Sequence, residues 1–256
     1  MDPVKTQWPM EFCLRGGQRF NGRLTRAKTT RSESNRLVIL AHGAANTMDH
    51  PLLLHLARGL AAGGISCLRF NFPYSQVGRP RPDPQPLLEE AWEHVLEKVT
   101  AQEWHSPEDR IVAAGKSMGG RVASQLASRG RLPVAGLIFY GYPLHPPGRP
   151  QELRDAHLGA IRVPMLFFSG TRDPFCRLDL MRGVIQGLGA RARMVEIEDG
   201  DHSFALPQAA TQGQAEVFGR ILDRSLAWLL ALAPCPAPDG PIQPPQAPWF
   251  LSDKAP

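Results

Sequence analysis

The stretch Ile111-Val112-Ala113-Ala114-Gly115-Lys116-Ser117-Met118-Gly119-Gly120 constrains this chain more than any other. Small and branched apolar residues stop at a serine with glycine two positions to either side, and Val122, Ala123, Leu126 and Ala127 follow at helical spacing. This pattern predicts a buried strand that turns sharply into a helix. Gly115 and Gly119 remove the Cβ atoms that would collide at the turn, so the Ser117 hydroxyl is left exposed above the sheet. The helix then begins at Met118, whose backbone N–H and the positive end of the helix dipole face any anion formed at the serine.

Other apolar runs place that strand in a sheet. Arg36 to Ala41, Ile65 to Phe70, Val134 to Tyr140, Val163 to Ser169 and Ala192 to Glu198 read as further strands. Amphipathic helices are expected from Pro51, with Asp49 as N-cap, to Gly63, and around Leu88 to Val99, Leu178 to Leu188 and Gln214 to Leu232. Strands alternating with helices predict an α/β fold with a mainly parallel, doubly covered sheet. In such sheets the working residues gather beyond the carboxyl ends of the strands. Residues 11–28, broken by Gly16-Gly17 and Asn21-Gly22, read as a peripheral hairpin of two edge strands. The proline-rich loop Asn71 to Pro86 is too punctuated to predict regular structure.

A serine hydroxyl needs a base within hydrogen-bond reach, and a histidine base needs a carboxylate to orient it. Gly170-Thr171-Arg172-Asp173-Pro174 follows one strand, and Asp199-Gly200-Asp201-His202-Ser203-Phe204 follows the last. Ser117, Asp173 and His202 thus fall in order at three strand ends. Asp201 is a competing acid, but adjacent residues in an extended loop point apart. Asp199 stays open as a rival to Asp173. Of the two donors an oxyanion requires, Met118 N–H is one, and the second is expected from Ala44 in His42-Gly43-Ala44-Ala45.

Composition narrows the remaining classes. A chain of 256 residues with 43% hydrophobic and 21% charged residues suits one domain, expected over residues 1–232, with residues 233–256 as a proline-rich tail. The net charge of +5 and the early arginines lack basic-aromatic interleaving, so no nucleic-acid partner is expected. The four cysteines have no paired spacing with each other or with histidine, which predicts no metal, and Cys67 reads as a small buried residue. No organic cofactor is expected either. Without a signal-peptide pattern or an apolar run of about 18 residues, no membrane span is expected and the cytoplasm is the expected location. The roughly twenty residues between Tyr140 and Val163 leave no room for a large lid domain.

Four stretches together, Leu40-Ala41-His42-Gly43-Ala44, Gly115-Lys116-Ser117-Met118-Gly119-Gly120-Arg121, Phe168-Ser169-Gly170-Thr171-Arg172-Asp173-Pro174 and Gly200-Asp201-His202-Ser203-Phe204, carry a resemblance. Across about Arg36 to Leu232 the chain resembles the α/β-hydrolase subgroup that includes testis-expressed protein 30, the NSL complex subunit 3 hydrolase-like domain and many small bacterial proteins. The resemblance implies an α/β-hydrolase fold with Ser117, Asp173 and His202 as a triad. Relatives tend to carry two glycines where this chain has Ala45 and Asn46, which bears on the geometry of the second oxyanion donor. The expected activity is cleavage of a small ester or thioester through an acyl-enzyme. A scaffold protein that keeps the fold, with a protein partner on the proline-rich tail, is the alternative.

Overall fold

Along each central strand, alternate residues feed two different cores, as the two-residue period of a pleated strand requires. The computed structural model describes residues 7–27, 36–106, 109–210 and 212–232. The order of elements is β1 (Gln7–Cys13), β2 (Arg19–Thr25), β3 (Arg36–Ala41), α1 (Pro51–Ala62), β4 (Ser66–Phe70), α2 (Pro73–Gln76), α3 (Gln85–Thr100), β5 (Arg110–Lys116), α4 (Met118–Ser128), β6 (Gly136–Tyr140), β7 (Met165–Gly170), α5 (Leu178–Leu188), β8 (Ala192–Ile197) and α6 (Gln214–Ala231). These strands form one sheet in the order β1-β2-β4-β3-β5-β6-β7-β8. All neighbours from β4 to β8 pair in parallel, and β1-β2 and β2-β4 are antiparallel.

On one face, Leu37, Ile39, Ala113, Leu137, Phe139 and Phe167 pack with α3, α4 and α5. On the other, Val38, Leu40, Val112, Ala114, Ile138 and Phe168 pack with α1 and α6. Both faces are therefore covered, and the middle residues of β3, β5 and β6 are apolar on both faces for that reason. Cys67 is fully buried, and that burial pushes its thiol up to about 12. Between β6 and β7 the only regular element is a 3-10 turn at Leu158–Ala160, and among the described residues no large lid domain stands over the sheet. Among the described residues no helix is long and apolar enough to cross a membrane.

Four local expectations are corrected. The hairpin begins at Gln7 rather than at residue 11, and only β1 is an edge, since β2 pairs with β4 and Phe12, Phe20 and Leu24 join the core. Asn21-Gly22, expected as a break, lies within β2. The cap of α1 is His50, whose Nδ1 accepts the N–H of Leu52 at 3.2 Å, whereas Asp49 is drawn to buried Arg69 at 2.9 Å. The loop after β4 contains α2, begun by Pro73 in the first turn, where a missing N–H is harmless. The tail over residues 233–256, with Cys235, and part of the early basic segment, Lys28 and Arg31, lie outside the described residues.

Candidate active site

β5 ends at Lys116 and α4 starts at Met118, so Ser117 alone makes the turn. Its φ of 49° and ψ of −115° are strained for a residue with a side chain. The fold pays for this through close packing on either side. A Cβ on Gly115 would sit 2.2 Å from Gly120 N, and one on Gly119 would sit 2.5 Å from His42 O. Only glycine lets the strand, the helix and the loop after β3 converge around the serine.

The loops after β7 and β8 bring two more side chains to that point. His202 Nε2 lies 2.8 Å from Ser117 Oγ, and its Nδ1 lies 2.8 Å from Asp173 Oδ2. The geometry fits Nδ1–H donating to the carboxylate while Nε2 accepts the serine proton. Asp173 is fully buried at its side chain, and its Oδ1 accepts the N–H of Phe175 at 2.8 Å. Phe175 in turn lies against the His202 ring, with centroids 4.4 Å apart. Neither rival acid meets His202: Asp201 Oδ1 accepts the N–H groups of Ser203 and Ala205 in its own turn. Asp199 donates its backbone N–H to Thr171 Oγ1 across the two loops and takes a positive φ of 56°.

Met118 N–H is the first amide of α4 and has no carbonyl to meet within the helix. Gly43, next to Ala44, lies beside the serine, since a Cβ there would be 3.3 Å from Ser117 Cβ. Ala44 itself is exposed, and its carbonyl accepts Asn46 Nδ2 at 3.0 Å. Ala45 takes φ of 54°, so the chain adopts a left-handed turn here without glycine.

What holds this loop was not apparent from the sequence. His42 Nδ1 bonds Gly43 O at 2.7 Å, and its Nε2 accepts the N–H of Phe72 at 3.0 Å. Burial pushes this histidine down to about 4, against the opposing pull of the Gly43 carbonyl, so it works as a neutral strut. From α2, Tyr74 Oη donates to Gly43 O at 3.4 Å and Ser75 Oγ to Asn46 O at 2.9 Å. Burial and the Asp83 carboxylate push the Tyr74 phenol up to about 12, so it remains a donor. The only signal for these partners was the apolar character of Phe72 and Tyr74 amid the prolines.

Lys116, the residue before the serine, is buried. Burial lowers its pKa, and the charges of Asp173 and Asp201 oppose that shift. The ammonium therefore balances two carboxylates near the site.

A family model described as "Alpha/beta hydrolase domain" matches residues 34–230. Among solved structures, an a/b serine hydrolase without lid, XC6422 from Xanthomonas campestris, is 20% identical with a TM-score of 0.68, over 90% of this chain and 98% of that one. An alpha-beta serine hydrolase homologue from Coxiella burnetii is also 20% identical, with a TM-score of 0.64 over the same shares of each chain. A dienelactone hydrolase from Anabaena variabilis is 17% identical with a TM-score of 0.66, over 88% and 96%.

Proposed function

The chain belongs to the alpha/beta hydrolase domain family, and from that membership we propose that it is a serine hydrolase cleaving a small carboxylic ester or thioester through an acyl-enzyme. The observation that carries this proposal is the unbroken relay from Ser117 Oγ through His202 to Asp173, each link 2.8 Å long. In the proposed reaction Ser117 Oγ attacks the acyl carbon while His202 Nε2 takes its proton. Asp173 stabilises the imidazolium and fixes the ring. The oxyanion faces Met118 N–H and Ala44 N–H, each such donor contributing about 3 kcal/mol in the transition state. Collapse expels the alcohol or thiol, which takes the proton from His202. Water then attacks the acyl-enzyme, His202 accepts its proton, and Ser117 is released with the carboxylic acid.

The likeness to an a/b serine hydrolase from Xanthomonas campestris and a serine hydrolase homologue from Coxiella burnetii supports the reaction class. The testis-expressed protein 30 and NSL complex subunit 3-like subgroup is the finer placement within the family, on the motifs quoted above. A scaffold role is not favoured, because a disused site has no reason to keep all three groups at bonding distance. The test is covalent: a fluorophosphonate should add one mass to the protein, on Ser117, and Ser117→Ala should take up none. Unchanged labelling of that variant would sink the proposal.

A further inference from the structure

The segment that leaves β6, Gly141-Tyr142-Pro143-Leu144-His145, touches the loops of both the base and the acid. Its first residue lies beside His202: Gly141 has a φ of 70°, and a Cβ there would sit 2.9 Å from His202 O and 3.5 Å from its Nδ1. Its last residue, His145, lies against the turn that carries Asp173. The backbone N–H of His145 donates to Phe175 O at 3.0 Å, and the ring Nε2 accepts the N–H of Arg177 at 3.0 Å. Between these ends the segment is anchored in the core, where Tyr142 and Leu144 are fully buried. The Tyr142 ring meets Phe139 and Phe167 at 5.3 and 5.8 Å between centroids, and its hydroxyl donates to Arg154 O at 2.8 Å. His145 is itself only 2% exposed.

Both ring nitrogens of His145 are committed. Nδ1 lies 2.9 Å from Pro146 O, which can only accept, so Nδ1 carries the proton and Nε2 keeps the lone pair that the Arg177 N–H needs. Neither nitrogen is left to transfer a proton or to bind a metal. His42 is held in the same way from the strand on the other side of β5, with Nδ1 on the next carbonyl, Gly43 O, and Nε2 on the N–H of Phe72. One histidine braces the oxyanion loop, and the other braces the acid turn.

What His145 braces is tightly coupled to the base. Asp173 Oδ1 accepts the N–H of Phe175 at 2.8 Å and Asp173 O accepts the N–H of Cys176 at 3.2 Å, so the turn from Asp173 to Arg177 moves as a unit. A shift of that turn would draw Asp173 Oδ2 off His202 Nδ1 and slide the Phe175 ring along the imidazole, 4.4 Å away between centroids. A base that turns away from its serine loses rate steeply, up to about a hundredfold for a displacement of about 1 Å. We propose that His145 is a positioning residue of the triad, whose Nε2 bond to the Arg177 N–H holds the acid turn where Asp173 and Phe175 can orient His202. The proposal rests on Ser117, His202 and Asp173 acting as nucleophile, base and acid.

The test counts competent sites by fluorophosphonate uptake carried to completion and divides p-nitrophenyl acetate turnover by that count, so a partly unfolded sample does not lower the rate per site. In His145→Leu, kcat per site should fall about tenfold or more with KM little changed, as when an interaction serves the transition state rather than substrate binding. Two amides then separate the ring nitrogens. Glutamine reaches the place of Nε2 and its oxygen can take the Arg177 N–H, so His145→Gln should recover most of the rate. Asparagine reaches only the place of Nδ1, so His145→Asn should stay as slow as His145→Leu. If His145→Leu fails to fold, the ratio of the Gln to the Asn variant remains the measure, about tenfold being expected. A merely structural histidine would lower the melting temperature and leave kcat per site unchanged. That result, or equal rates for the two amides, overturns the positioning role while Ser117 labelling upholds the hydrolase. If wild-type Ser117 takes up no fluorophosphonate, the hydrolase reading fails and the positioning role fails with it.

Discussion

His42 Nε2 accepts the backbone N–H of Phe72 at 3.0 Å, which ties the loop beside Ser117 to the segment leading into α2. This bond exists only while the imidazole is neutral. Because the folded protein holds His42 at about 4 rather than the ordinary 6.5, the unfolded chain binds the proton first as pH falls. Stability contributed by this group is thus complete above about 6.5 and is lost progressively down to about 4, roughly 3 kcal/mol in all at about 1.4 kcal/mol per unit. Urea midpoints measured across that window should fall with pH, and His42→Gln should flatten the part due to this residue. An equally steep fall in the variant would assign the dependence elsewhere.

Gly119 and Gly183 should respond oppositely to alanine. A Cβ at 119 meets the His42 carbonyl and Ala41 inside van der Waals distance, whereas a Cβ on α5 at 183 meets nothing within 4 Å. Gly119→Ala should destabilise by about 1–3 kcal/mol. Gly183→Ala should stabilise by about 0.5–1 kcal/mol, as alanine does in an exposed helix. Thermal unfolding of the two variants reads both signs.

Ala45→Gly should raise stability by about 1 kcal/mol, because the φ of 54° strains an alanine and not a glycine. Tyr74→Phe should act on the same loop in a different way. Removing the donor to Gly43 O leaves the fold but loosens the oxyanion side, so kcat on a p-nitrophenyl ester should drop about tenfold or more with KM little changed.

Asp173→Asn should cut kcat by about four orders of magnitude, since an amide favours the wrong tautomer of His202. Asp201→Asn keeps an oxygen for the N–H groups of Ser203 and Ala205, so its loss should be far smaller. Steady-state rates for the pair decide which carboxylate orients the base. Equal losses would reassign the acid.

The central strands and the elbow were legible because both are local patterns: apolar runs covered on both faces, and glycines flanking one serine. Asp173 and His202 followed from their positions after strands. The supports of the site were not legible, for a physical reason. Asp49 reads as a cap in sequence, yet a buried arginine twenty residues away claims it and His50 caps α1 instead. His42 reads as a turn residue until Phe72 and Tyr74 are brought beside it by parallel pairing of β3 with β4. The prolines around α2 hid a helix whose first turn they permit.

The most direct test of the account is intact-mass spectrometry after treatment with a fluorophosphonate, with peptide mapping of the adduct. One equivalent on Ser117, absent in Ser117→Ala and slowed greatly in His202→Ala, is the predicted result. An adduct on another residue, or equal labelling of the wild type and Ser117→Ala, would contradict it.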